Sequence, residues 1–135
     1  MMRGLSPSEV MEMFDHLGLT VSDLARSQRF YARALAPLGY AVQAEYAGEA
    51  VGFGDSGRPT FWLGAGKASG TGTHVAFAAP DRATVGRFHS AALEAGGRDN
   101  GAPGPRPHYH PNYYGAFVLD PDGYNIEAVC HKPER

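Results

Sequence analysis

Two histidines and one glutamate stand where their chemistry can be pooled. His16 heads the segment HLGLTVSDLARSQRFYARALAPLG, and His74 heads HVAFAAPDRATVGRFHSAALEAGG. A shift of 58 residues lays the first on the second without a gap: Asp23 meets Asp81, Arg29 and Phe30 meet Arg87 and Phe88, and Gly39 meets Gly97. Such a register is the mark of a duplicated module, and it carries an equivalent imidazole into each half. Glu127 lies in YNIEAVC, sharing a strand face with Asn125 and Val129, while Tyr124, Ile126 and Ala128 point the other way. A carboxylate there is expensive to bury unless it is paired or bound to a cation. A solvent-facing glutamate on a half-exposed sheet is the plain alternative. Two imidazoles and one carboxylate are the set that holds Fe(II), and also Mn(II), Ni(II) or Zn(II), with positions left open for water or substrate. His16, His74 and Glu127 are therefore the candidate metal ligands, and Glu127 is the candidate catalytic group.

The elements that must position them can be read from periodicity and punctuation. Leu17, Leu19 and Val21 alternate with His16, Gly18 and Thr20, which suits a strand. Ser22 offers an N-cap, and Leu24, Phe30, Tyr31, Ala34 and Leu35 give a helical stripe that Pro37 and Gly39 end. YAVQAEY, AVGFG and TFWLG read as three strands. The second copy repeats the plan. A strand presents His74, Ala76 and Ala78 on one face, and Pro80-Asp81 opens a helix with a stripe of Val85, Phe88, Ala92 and Leu93. Arg98–Asn100 reads as a brief strand, Gly101–Asn112 as a proline- and glycine-rich loop, and YYGAFVL and YNIEAVC as a hairpin about the turn Asp120-Pro121-Asp122-Gly123. Each half is β-α-β-β-β. The helices pack on the apolar strand faces, and the faces that carry His16 and His74 line a second compartment. If the half-sheets curl together, His16, His74 and Glu127 converge.

Residues 1–13 read as an N-terminal extension and 14–131 as a single domain, with modules of about 14–66 and 72–131. The 135 residues carry a net charge of −2 with scattered basic groups, which argues against nucleic acid as a partner. No apolar run is long enough for a membrane span, and MMRGLSPSEVMEM lacks the apolar core of a signal peptide. The single cysteine, Cys130, rules out an intrachain disulfide and points to a reducing cytoplasm. It is expected to be a buried, inert thiol.

The duplicated β-α-β-β-β plan, the histidine at each module's head and the closing strand after D-P-D-G ending in N-I-E resemble the vicinal oxygen chelate superfamily, which includes glyoxalase I, bleomycin-resistance proteins, fosfomycin-modifying enzymes and extradiol dioxygenases. HLGLTVSDLARSQRFY and FVLDPDGYNIEAV are its most specific parts. The resemblance implies an α+β fold of two tandem βαβββ modules forming a curved mixed sheet around a central cavity. It also implies a divalent-metal enzyme that chelates vicinal oxygens of a small substrate, of lyase, ring-cleaving dioxygenase or thiol-transferase type, and a homodimer whose ligands come from one chain or two. His16, His74 and Glu127 match three of the family's ligand positions. Trp62 stands at the fourth, where glyoxalase I-like members carry a carboxylate. An indole neither ligates a hard cation nor accepts a proton, so hemithioacetal isomerisation is disfavoured. Substrate-contact candidates are Trp62, as core packing or an aromatic platform, and Arg106, His108, His110, Tyr113 and Tyr114, from a segment that reads equally well as exposed loop. The alternative function is metal-free sequestration of a planar, drug-like compound, as bleomycin-resistance members do.

Overall fold

A computed structural model describes residues 13–70 and 72–133. All but the last residue of the expected extension, and so any helix within it, lies outside the described residues. The first module contains β1 (Leu17–Val21), α1 (Leu24–Ala34), a 3-10 turn (Ala36–Leu38), β2 (Ala41–Tyr46), β3 (Ala50–Asp55) and β4 (Arg58–Ala65). The second contains β5 (His74–Ala78), α2 (Arg82–Glu94), β6 (Arg98–Pro105), β7 (Tyr114–Leu119) and β8 (Asn125–Cys130). Each forms a four-stranded mixed sheet, ordered β1-β4-β3-β2 and β5-β8-β7-β6. The first and last strands of each module pair in parallel, and the remaining pairs are antiparallel. A parallel pair cannot be joined by a tight turn, so the module's helix crosses over one face on the way from the first strand to the rest.

That face becomes the core. Val21, Phe53 and Leu63 of one sheet and Val118, Ile126 and Ala128 of the other are buried with Phe30, Tyr31, Leu35, Val85 and Phe88 from the helices. Each large apolar side chain removed from water there contributes roughly 1.5–3 kcal/mol. The modules meet where Phe61 packs edge-on to Phe77 at 5.1 Å. Polar contacts add to that join. The Tyr31 hydroxyl donates to Asp120 at 2.5 Å, and that of Tyr124 donates to the Thr20 carbonyl at 2.5 Å. Burial pushes the Asp120 carboxyl up from its ordinary value, opposed by the hydrogen bond from Tyr31 and the backbone N–H groups of Tyr124 and Asp122.

Three local expectations are corrected. The N-cap of α1 is Asp23, whose carboxylate accepts from Arg26 N at 3.0 Å, while the Ser22 hydroxyl donates across the module boundary to Asp122. The repeat contained this answer, since its partner Asp81 caps α2 through Thr84 N at 2.7 Å. On α2 the buried stripe takes in His89 rather than Leu93, which is 36% exposed. Val85, Phe88, His89 and Ala92 follow the three-and-four spacing of one helical face, and Leu93 falls beyond its edge. The third correction is β6, which runs on to Pro105 through half of the expected loop. It is an edge strand with register shifts after Asp99 and Gly101, so Pro103 and Pro105 are tolerated where a central strand would exclude them.

Candidate functional site

With the helices on one side, the other face of each sheet is open, and its composition follows from the ladder register. On the second sheet one row across the strands is His74, Asn125, Leu119, Arg98, and the next is Ala76, Glu127, Phe117, Gly101. His74 leans from the first row toward the second. Its Nε2 lies 3.1 Å from Glu127 Oε1, and its ring stacks at 6.2 Å on Phe117. Glu127 is 1% exposed. Its other oxygen, Oε2, accepts a hydrogen bond from the Tyr113 hydroxyl. Burial, and then that bond to Glu127, push the Tyr113 hydroxyl well above its ordinary value, so at neutral pH it remains a proton-bearing donor. Gly115 makes room for this contact: a Cβ there would lie 3.0 Å from Glu127 Oε2 and 3.1 Å from the Tyr113 ring.

The hydrogen bonds fix the tautomer of His74. Its Nδ1 lies 3.0 Å from the Asn125 carbonyl oxygen, which can only accept, so Nδ1 carries the proton. In the neutral ring Nε2 then presents a lone pair to a carboxylate oxygen. Two acceptors at that separation need a proton or a metal cation between them. Nδ1–H donation to a backbone carbonyl is also the usual way in which a metal-ligating histidine is oriented. The donor chemistry of this pair therefore fits a divalent cation, and the outer hydrogen bonds that would support it are in place.

His16 stands elsewhere. It directly precedes β1, its side chain is 60% exposed, and its Nδ1 donates to Asp15 at 2.8 Å, a bond that holds the Asp15 carboxyl below its ordinary value. Among the described residues no three His, Cys, Asp or Glu side chains lie close enough together to hold a metal ion. One chain thus brings His74 and Glu127 together and leaves His16 on the open face of the other sheet. There it borders a shallow cavity of about 440 Å³ with Gly18, Thr20, Ala50, Trp62 and Gly64.

Trp62 occupies the position in the first module that Glu127 occupies in the second. Gly18 pairs with Trp62 and Ala76 with Glu127, and Gly18 and Ala76 are repeat equivalents. The indole is not core packing. It lies flat over Gly52, where a Cβ would come within 3.0 Å of the ring, and it stacks on the exposed ring of Tyr46 at 6.0 Å.

The remaining expected contact residues divide. Tyr113 joins the site as the partner of Glu127 rather than as free wall. Tyr114 faces the other way, packing against the core with Arg82 over its ring at 4.9 Å. The Arg106 guanidinium donates to the carbonyls of Ala102 and Gly104, both at 2.8 Å, and covers Phe117 at 5.5 Å, so it ties down the bulged part of β6. His108 lies against Tyr109, and His110 takes the Asn112 N–H on Nδ1 at 3.0 Å beside His131. Sequence reasoning passed over Phe117 and Gly115, although strict alternation along YYGAFVL places both on the face of Glu127. Cys130 is buried, as expected.

No helix among the described residues is long and apolar enough to cross a membrane. No curated protein matches the chain. Among solved structures it is similar to a glyoxalase/bleomycin resistance protein from Albidiferax ferrireducens, at 27% identity and a TM-score of 0.76, covering 90% of this chain and all of that one. It is also similar to a glyoxalase/bleomycin resistance protein/dioxygenase family enzyme from Burkholderia phytofirmans (18% identity, TM-score 0.69, 87% and 98% covered). A glyoxalase-related enzyme from Fulvimarina pelagi is similar at 19% identity and a TM-score of 0.68, with 90% and 88% covered. The model of the Glyoxalase/Bleomycin resistance protein/Dioxygenase superfamily matches residues 13–128, and the chain belongs to that superfamily.

Proposed function

We propose that this protein is a divalent-metal enzyme that chelates adjacent oxygens of a small substrate, with His74 and Glu127 supplying two ligands and His16 of a second copy the third. The observation that carries this reading is the facing pair of acceptors, His74 Nε2 and Glu127 Oε1 at 3.1 Å, each fixed from behind by a separate hydrogen bond. A bound Fe(II), Mn(II), Ni(II) or Zn(II) would act as a Lewis acid on substrate oxygens. The chain's own groups do the rest. The Asn125 carbonyl sets the His74 tautomer, the Tyr113 hydroxyl holds Glu127 Oε2 so that Oε1 is the free donor, and Phe117 walls the pair from one side. As a ligand and a carboxylate buried on this face, Glu127 is also the group able to take a proton from bound substrate. Trp62 in place of a second carboxylate argues against a proton shuttle between adjacent carbons. That favours bidentate chelation of the kind used in ring cleavage or thiol transfer over glyoxalase-type isomerisation.

The test is elemental analysis of protein purified without chelator, followed by mixing two inactive variants. His16→Ala and Glu127→Gln should each lose metal. If His16 comes from a partner, one of the two sites in a mixed dimer is intact and binding partly returns. Failure of the wild type to retain or take up any of these metals would refute the reading. A second reading, metal-free capture of a planar ligand, draws on the half-buried indole of Trp62 and the exposed ring of Tyr46 stacked on it. It requires binding that is indifferent to chelator and to Glu127→Gln.

A further inference from the structure

We infer that Arg98 forms an anion-reading subsite beside His74, and that the substrate carries a carboxylate or similar anionic group set apart from its chelating oxygens. This rests on the reading of the His74–Glu127 pair given above. Arg98 ends the row His74, Asn125, Leu119, Arg98, and it lines one cavity of about 500 Å³ with His74, Leu119, Asp122 and Asn125. Its direction follows from its neighbours on β6. Asp99 turns to the helix side, where it meets His89 at 2.9 Å, and Asn100 turns to the open side, where its amide donates to Asn125 Oδ1 at 3.3 Å. Alternation puts Arg98 with Asn100.

Charge commitments single this residue out. Among the described residues no hydrogen bond, ion pair or ring contact engages the Arg98 guanidinium. The carboxylate that shares its cavity is already taken: Asp122 accepts from Ser22 through both oxygens and pairs with Arg26 at 3.7 Å. Arg106, the other cation of this sheet face, is consumed by backbone carbonyls. Arg98 is thus the available fork of donors on the face where His74 and Glu127 meet, and a planar guanidinium matches a carboxylate in geometry as well as charge. Two strand spacings separate β8 from β6, about 10 Å of backbone. With the reach of the side chain, one substituted ring or a short carbon chain spans the gap.

Catechol and 3,4-dihydroxybenzoate, which share the vicinal oxygens and differ in the carboxylate, serve as probes in calorimetric titrations of the protein with and without added manganese. The wild type should prefer the carboxylated probe by about tenfold, the order expected for one charge-assisted contact. Arg98→Met should erase the preference, Arg98→Lys keep part of it, and Arg106→Met keep it whole. Equal binding of the two probes by the wild type, or a preference that survives Arg98→Met, overturns the inference. The metal arm is read separately, as the manganese-induced rise in melting temperature and its loss in Glu127→Gln. A missing rise together with an Arg98-dependent preference refutes the metal reading and upholds the anion subsite. A normal rise without the preference does the reverse.

Discussion

The two modules share one backbone plan and differ at the position that matters. On β4 the residue beside Gly18 is Trp62, and on β8 the residue beside the equivalent Ala76 is Glu127. One module presents an indole laid flat over Gly52, with a histidine exposed near it. The other presents a carboxylate buried under a histidine and a tyrosine. Their connections differ too. Residues 47–49 join β2 to β3, whereas residues 106–113 join β6 to β7 and deliver Tyr113 to Glu127. A buried carboxylate needs donors, and the longer connection supplies one; the indole needs only a flat floor, which a glycine provides. Duplication gave two equal frames, and the side chains have divided them into a face that pairs a histidine with a carboxylate and a face that stacks two aromatic rings.

That division can be broken most severely at Glu127. Glu127→Gln should weaken metal binding by at least about 100-fold by removing a charged ligand, measured as affinity in calorimetric titration. Tyr113→Phe comes next. It frees Glu127 Oε2 while leaving the ring in place, and metal affinity should fall about tenfold or more with little change in the far-ultraviolet dichroism spectrum. Trp62→Glu would make the modules alike. With His16 as third ligand it places a fourth donor beside the ion, and affinity should rise about tenfold; an unchanged or weaker affinity would show that the stacking face does not meet the metal. The mildest change is Gly52→Ala. The new methyl group collides with the indole and with Pro59, whose Cβ would lie 2.7 Å away. Overpacking of this kind costs about 1–3 kcal/mol. Because Trp62 is the chain's single tryptophan, its emission should shift, while metal affinity stays as in the wild type.

Much of this was legible in the sequence because it depends on short-range periodicity. Alternation put Gly18 and Thr20 on one face of β1, with His16 just ahead of the strand, and Asn125, Glu127 and Val129 on one face of β8. Laying the first module's closing strand, RPTFWLG, beside GYNIEAV of the second set Trp62 near the counterpart of Glu127. The illegible parts depend on competition among several partners. Ser22 and Asp23 are both good caps, and the choice was made by Asp122, far along the chain, which accepts from Ser22. Arg106 looked like an anion binder because guanidinium is one, but the bulges of β6 turned the carbonyl groups of Ala102, Gly104 and Pro105 into its acceptors. Pro103 and Pro105 read as loop because edge position, which excuses proline in a strand, is a property of the sheet. The separation of His16 from His74 and Glu127 in one chain was equally beyond local pattern, since it depends on how the two sheets are set against each other.

The most direct measurement is a thermal titration of metal-stripped protein with Mn(II), Fe(II), Ni(II) and Zn(II), run in parallel on the wild type and on Glu127→Gln. A ligand that binds the folded state alone stabilises it by about 2.7 kcal/mol at a concentration 100 times its Kd, which in a domain of this size is a rise in Tm on the order of 10 °C. At least one of these metals should produce such a rise in the wild type and none in Glu127→Gln. Identical melting curves for the two proteins at every metal concentration would contradict the assignment of the His74–Glu127 pair as a metal-holding site.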